Sequence, residues 1–294
     1  MTLSVLLGST RKSLRSAGVV HPDVEAEIII SHVLGLRRSE IYLDPGRLTT
    51  PEQESRIRQI VSERHRRFPL QYLVGEIEFM GLPFKMKQEV FIPRPETEIL
   101  VEVLVERGRR MGGPLRILDL GTGSGAIAVS LAKCLEPEFV LATDVSPVAV
   151  RLAGENASLN GVEGRIALVV GAGLGFLRTG PLSAGDARTR TFSVVASNPP
   201  YVGRSEIDGL QPEVRDFEPR LAIDGGEDGL RFVRGVLPEI PSILKEEGIV
   251  AFEIGACQAG AVCALFRDAG LDNVEVIKDL AGRDRVVIAR RRWA

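Results

Sequence analysis

Leu115-Arg116-Ile117-Leu118-Asp119-Leu120-Gly121-Thr122-Gly123-Ser124-Gly125-Ala126 decides the fold of this 294-residue chain. Leu115–Leu118 reads as a short strand, Ile127–Leu131 as the start of a helix, and the glycines as the turn between them. Glycines there let backbone approach a ligand closely, and the helix N-terminus offers free N–H groups to an anionic part of it. Downstream, β-rich runs at Val140–Ala142, Ala167–Val170, Phe192–Ala196 and Ile249–Ile254 alternate with helical stretches. Val274–Ile277 and Arg285–Ala289 close the chain as two strands with a turn at Gly282. This predicts an α/β protein: a mostly parallel sheet with helices on both faces and an antiparallel final hairpin. Thr179–Thr191 reads as a loop longer than such a fold demands.

Upstream of that stretch the character changes. Residues 1–75 read as a helical bundle, with Pro22 in a first helical turn and Val24, Ile28, Ile29 and Val33 at helical spacing. Thr50-Pro51-Glu52-Gln53 has the pattern of a capping box. Residues 76–112 predict a short hairpin, from Glu76–Phe79 and Phe84–Met86, and a connector stiffened by Pro93 and Pro95. Residues 113–294 then form the α/β domain.

Hydrophobic residues make up 44% of the chain and charged ones 26%, with 37 Lys+Arg against 39 Asp+Glu and a net charge of −2. That balance suits a protein with a buried core and argues against gripping duplex nucleic acid through phosphates. Residues 1–75 are mildly basic, with 11 Lys+Arg and 8 Asp+Glu. No run approaches the roughly 18 apolar residues of a membrane helix, and the basic cluster near the start follows its apolar stretch, the reverse of a secretory signal. Three cysteines without a CxxC support neither a disulfide framework nor a zinc site. A cytoplasmic protein is expected, with no bound metal, no membrane contact and no stable nucleic-acid binding.

Asp144 follows the second strand, about 20 residues beyond the glycines, where a carboxylate accepts hydrogen bonds from ribose hydroxyls. The competing role for such an Asp is to cap the turn at Ser146-Pro147. With the glycine turn, NAD and S-adenosylmethionine fit equally at this point. Asn198-Pro199-Pro200-Tyr201, directly after the fourth strand, separates them. Such a string arises by chance in about one chain in a thousand. Asn198 offers a side-chain carbonyl, Pro199 a backbone carbonyl without a competing N–H, and Pro200 holds residue 199 extended. Tyr201 supplies a flat face for stacking. Two acceptors and a stacking face suit an NH2 group in an amide or a nucleobase.

Asn-Pro-Pro-Tyr after a glycine-rich strand-turn-helix resembles S-adenosylmethionine-dependent aminomethyltransferases. Phe68–Glu76, Ile92-Pro93-Arg94-Pro95-Glu96-Thr97-Glu98, Phe217-Glu218-Pro219 and Asp279–Arg285 narrow the resemblance to the peptide chain release factor glutamine methyltransferases (the PrmC/HemK family). It covers about residues 23–288. The resemblance implies a Rossmann-like, seven-stranded class I methyltransferase sheet behind an N-terminal helical bundle domain that helps hold the substrate. It implies S-adenosyl-L-methionine as cofactor and class 1 release factors as partners in translation termination. The substrate would be the glutamine of their Gly-Gly-Gln motif. Cofactor contacts are then expected at Asp119, Gly121, Thr122, Gly123, Ser124, Gly125, Asp144 and Asn198. Catalysis and substrate binding are expected at Asn198, Pro199, Pro200 and Tyr201. For Asp119, a charge role toward the cofactor and a structural role in the turn weigh equally. After the third strand the family carries an acidic residue and a large apolar one. This chain has Gly171-Ala172-Gly173, which leaves backbone N–H groups for that contact.

The rival enzyme is a nucleobase methyltransferase acting on adenine or guanine amines, which uses the same four residues. A non-catalytic binding module is disfavoured by the intact Asn198–Tyr201 string. An NAD oxidoreductase lacks a suitable histidine, since His21, His32 and His65 all lie in the helical region.

Overall fold

The computed structural model describes residues 1–175 and 191–291, so the loop expected over 179–191 lies almost wholly outside the described residues. The chain divides into two compact units, Met1–Glu76 with Gln211–Phe217, and Ile77–Leu210 with Glu218–Ala294.

In the larger unit, strands β3 (Arg116–Leu120), β4 (Phe139–Asp144), β5 (Ile166–Val170), β6 (Phe192–Ser197), β7 (Leu244–Glu253), β8 (Leu271–Lys278) and β9 (Asp284–Arg291) form one sheet. Its order is β5-β4-β3-β6-β7-β9-β8. The first five strands pair in parallel, and β9 runs antiparallel to both β7 and β8. The α/β class, the seven strands and the antiparallel closing hairpin are as the sequence predicts. Alternate residues of the central strands enter opposite cores. Leu118, Val195, Val250 and Val287 pack on one face, and Ile117, Val194, Ile249 and Val286 on the other. Both faces are covered, which is why these strands read as unbroken apolar runs. Strand β7 begins five residues before its predicted start. Lys245, Glu246 and Glu247 hide its first turn of sequence, but Leu244 pairs with Phe192. The chain builds β3, β4 and β5 outward, then returns to the other side of β3 for β6. That reversal opens a crevice at the strands' carboxyl ends.

Before the sheet comes a hairpin, β1 (Glu76–Phe79) and β2 (Leu82–Lys85). Its turn places Met80 and Gly81 both at positive φ, which matches the twist of a two-residue hairpin. Asn156, buried on α7 (Pro147–Leu159), joins three elements. It accepts from Lys85 N–H at 2.7 Å and donates to the Lys85 carbonyl at 3.1 Å and the Ser124 carbonyl at 2.8 Å. Asn156→Ala leaves those buried groups unpaired and is expected to lower stability by roughly 1–3 kcal/mol. Urea denaturation measures it, and an unchanged midpoint would refute the role.

The smaller unit is helical: α1 (Leu3–Ser16), α2 (Pro22–Leu34), α3 (Pro51–His65) and α4 (Leu70–Val74). Leu3, Leu14, Ile29, Ile30, Ile57 and Ile60 are central to its core. The Thr50 capping box is formed, with Thr50 Oγ1 accepting from Gln53 N–H and Gln53 Oε1 accepting from Thr50 N–H. The segment Gln211–Phe217, distant in sequence, completes this unit. Its Glu213 receives Arg64 at 3.1 Å and Arg67 at 2.7 Å, and Phe217 packs edge-on against Phe68 at 5.1 Å. Among the described residues no helix is long and apolar enough to cross a membrane.

Candidate active site

At the carboxyl end of β3 the backbone turns through Gly121, Gly123 and Gly125, all at positive φ. The N–H groups of Gly121 and Thr122 both donate to the Thr143 carbonyl at 2.8 Å, which ties the turn to the end of β4. A Cβ on Gly121 or Gly123 would meet no protein atom within 4 Å, so the space beside them stays open to a ligand. Gly125 serves packing instead. A Cβ there would lie 3.1 Å from Ala153, crowding α6 (Ala126–Leu135) against α7.

Asp119 is completely buried below this turn. Its Oδ2 accepts from the Thr122 hydroxyl at 2.6 Å, and its Oδ1 has no hydrogen-bond partner among the described residues. Burial pushes its carboxyl up to about 7, against the pull of the Thr122 hydroxyl and the Ala128 backbone, with the Asp144 charge adding to the rise. Asp144 is the last residue of β4. Its Oδ2 accepts from Gly123 N–H at 2.9 Å and its Oδ1 from Ser146 N–H at 2.8 Å. The turn-capping role and an open ligand face therefore coexist, because an ionised carboxylate has about four acceptor positions. Gly171 N–H is taken by the Asp144 carbonyl at 2.9 Å, which removes it as a ligand contact.

Asn198 follows β6, and its Nδ2 donates to Thr97 Oγ1 at 2.9 Å. Tyr201 turns inward. Its hydroxyl lies 3.4 Å from Glu253 Oε1, and burial raises its ionisation above the ordinary phenol range. Glu253, the last residue of β7, is itself buried, and burial drives its carboxyl up to about 7. Behind Pro200 and Tyr201 runs the loop Asp224–Gly229. Gln258 Nε2 donates to the Tyr201 carbonyl at 2.8 Å, and a Cβ on Gly229 would lie 2.2 Å from that same oxygen.

These elements enclose a cavity of about 350 Å³, within the range of small-ligand sites. Gly121–Ser124, Asp144, Asn198, Pro199 and Pro200 line it, together with Gly171, Ala172 and Gly173. Of the residues singled out from sequence, Asp119, Gly125 and Tyr201 are not part of the wall. Phe91, Pro93 and Thr97 are, so the connector expected as a stiff strut also supplies part of the wall. Its conformation is set by buried Glu218, which pairs with Arg94 and accepts from Ile92 N–H at 3.3 Å. Burial raises the Glu218 carboxyl, offset by Arg94. Arg94 also stands over the Phe91 ring at 4.7 Å. The signal for this cluster was present in the strings Ile92–Glu98 and Phe217–Pro219, but nothing in their spacing says that they meet.

A family model described as PrmC N-terminal domain matches residues 6–75, and one described as ribosomal protein L11 methyltransferase matches residues 95–196. The chain is similar to the release factor glutamine methyltransferase of Moorella thermoacetica, 41% identical over 293 residues that cover 99% of both chains. It is also similar to that of Nitratidesulfovibrio vulgaris, 39% identical over 292 residues, 99% of this chain and 95% of the relative. A methyltransferase from Pyrococcus furiosus shares the fold, with a TM-score of 0.50 and 17% identity over 82% of this chain and 99% of that one.

Proposed function

The chain belongs to the release factor glutamine methyltransferase family, whose methyl donor is S-adenosylmethionine, and from that premise we propose that it methylates the side-chain amide nitrogen of the glutamine in the Gly-Gly-Gln motif of class 1 release factors. The observation that carries the reading is Asn198. It lines the cavity with its nitrogen already committed to Thr97, so its carbonyl oxygen is the end left for an incoming NH2.

The residues present fit the cofactor. Open space beside Gly121 and Gly123 would admit its amino-acid end against backbone, and Asp144 has acceptor capacity left for ribose hydroxyls. When bound, S-adenosylmethionine supplies an electrophilic methyl on a sulfonium. The protein's share is to hold the acceptor nitrogen in line and favour its developing charge. An amide nitrogen is a poor nucleophile because its lone pair is delocalised. Acceptors at Asn198 Oδ1 and the Pro199 carbonyl would take its two N–H bonds, and these bonds strengthen as the nitrogen becomes cationic. Phe91, with Arg94 over its ring, lines the cavity, whereas Tyr201 does not. The helical residues 1–75 are assigned to holding the release factor, which the PrmC N-terminal domain match supports.

The test is incubation with labelled S-adenosylmethionine, a class 1 release factor and bulk RNA and DNA. Label is expected on the release factor, lost when its Gly-Gly-Gln glutamine is changed to alanine. Label confined to nucleic acid would establish the nucleobase alternative. Asp144→Ala removes the ribose acceptor and frees the Gly123 and Ser146 N–H groups. A cofactor affinity loss of roughly 1.5–3 kcal/mol is expected, about 10- to 150-fold in Kd by calorimetry. Unchanged affinity in a folded variant would reject the ribose role.

A further inference from the structure

The side-chain amide of Asn198 has two nearly isosteric ends. Only one of them, the carbonyl, can receive a substrate NH2; the other would oppose it donor to donor. Thr97, at the start of α5 (Thr97–Arg109), accepts the Asn198 nitrogen at 2.9 Å and is itself buried on the cavity wall. A hydroxyl both donates and accepts, so Thr97 alone does not dictate which end of Asn198 it meets. The next group decides this. Glu253 ends β7 beside the end of β6, where Ser197 pairs with Phe252, and is 1% exposed. Its Oε1 faces the Tyr201 hydroxyl, and its Oε2 is buried with no hydrogen-bond partner among the described residues. An ionised carboxylate only accepts.

We propose that Thr97 and Glu253 are positioning residues that set the polarity of Asn198: Glu253 draws the Thr97 hydroxyl proton to its own side, Thr97 then offers only lone pairs to Asn198, and the Asn198 carbonyl is held toward the substrate nitrogen. The Thr97 hydroxyl accepts from Asn198, which leaves its proton to turn toward the unpartnered Oε2 of Glu253. This polarity role rests on the reading of Asn198 as the acceptor of the substrate amide. Burial pushes the Glu253 carboxyl up to about 7, with the Thr97 hydroxyl, Arg285 of β9 and Tyr201 pulling it down and Glu96 at the head of α5 opposing them. Arg285 is held in place by Asp279 at 3.0 Å. Below that range Glu253 becomes protonated and can itself donate to Thr97. The polarity is then lost, and turnover falls on the acid side.

Three measurements test this on the full-length protein. In release-factor methylation, Thr97→Val is expected to lower kcat about 10- to 100-fold, with cofactor Kd and release-factor KM within about threefold of the parent. Thr97→Ser, which keeps the hydroxyl, restores most of the rate. Glu253→Gln keeps shape and removes the titration, so the acid limb near pH 7 is expected to disappear from the kcat profile. Independently of any acceptor, the Asn198 side-chain amide protons, identified in ¹⁵N-labelled protein by their absence in Asn198→Ala, are expected to be protected from exchange in the parent and in Thr97→Ser. They are expected to lose that protection in Thr97→Val. Parental kcat in folded Thr97→Val, or an unchanged acid limb in Glu253→Gln, overturns the polarity role. If Thr97→Val does not fold, Glu253→Gln decides alone. Protection that depends on Thr97 in a protein that never labels a release factor would uphold the lock and reject the substrate assignment.

Discussion

Asn198→Ala is expected to cut methyl transfer to the release factor by on the order of 100- to 1000-fold, the usual consequence of losing one preorganised partner of a developing charge. The sheet is untouched, since the side chain lies beyond β6 and bonds only to Thr97 among the contacts described for it. The remaining acceptor at Pro199 leaves the substrate amide free to swing, so orientation is lost along with charge stabilisation. Release-factor affinity is expected to change little, because one hydrogen bond is a small part of a protein–protein interface. Asn198→Asp distinguishes acceptor from charge. It keeps an oxygen but faces Thr97 with a second carboxylate, and the single hydroxyl proton of Thr97 cannot serve both it and Glu253. That variant is expected to bind cofactor at least as well as the parent while turning over slowly. Steady-state kinetics with calorimetric cofactor affinity separate these effects. Near-normal turnover in folded Asn198→Ala would reduce the Asn198–Tyr201 string to a structural turn.

Gly229→Ala is expected to have an effect of similar size without touching any group on the cavity wall. Gly229 stands at φ 76°, where a side chain is strained at a cost of about 1–3 kcal/mol. A Cβ there would also sit 2.2 Å from the Tyr201 carbonyl oxygen and 2.3 Å from Gln258 Nε2, so the loop behind the site must move. Gln258 and the Tyr201 carbonyl then part, and Pro199 and Pro200 lose their backing. A displacement of about 1 Å at the acceptor carbonyl is enough for roughly 100-fold in rate. Gly235→Ala is the control, because it lies in the exposed part of the helix Arg231–Val236 and a Cβ there meets nothing within 4 Å. It is expected to leave turnover unchanged and to raise stability slightly. Equal rates and melting temperatures for the two alanine variants would show that the Gly229 contact does not support the site.

The parts of the site that local chemistry controls were readable from the amino-acid sequence. A strand, a glycine turn and a helix within Arg116–Leu135 depend on backbone conformation and neighbouring hydrophobicity. So do the Thr50 capping box and the Pro22 helix start. Asp144 and Asn198 were legible for the same reason, since each directly follows, or ends, an apolar run whose carboxyl end points at the crevice. Strand ends were less legible. Charged Lys245–Glu247 look unlike a strand, and only the partner at Phe192 makes Leu244 one.

The sequence by itself determined the α/β class, the mostly parallel sheet with its antiparallel close, the glycine turn, and that Asp144 and Asn198 stand at strand ends, where they line the cavity. Tertiary structure alone decided what supports them. Thr97 reaches Asn198 across 101 residues, Arg94 reaches Glu218 across 124, and Gln258 reaches the Tyr201 carbonyl across 57. It also turned Tyr201 inward, brought Phe91 to the cavity wall and gave Gln211–Phe217 to the helical unit. The physical reason is range. Helix, strand and turn preferences are settled within a few neighbouring residues, whereas a buried carboxylate, hydroxyl or amide takes whichever partner the packed core brings within hydrogen-bonding distance, and sequence separation carries no information about that partner.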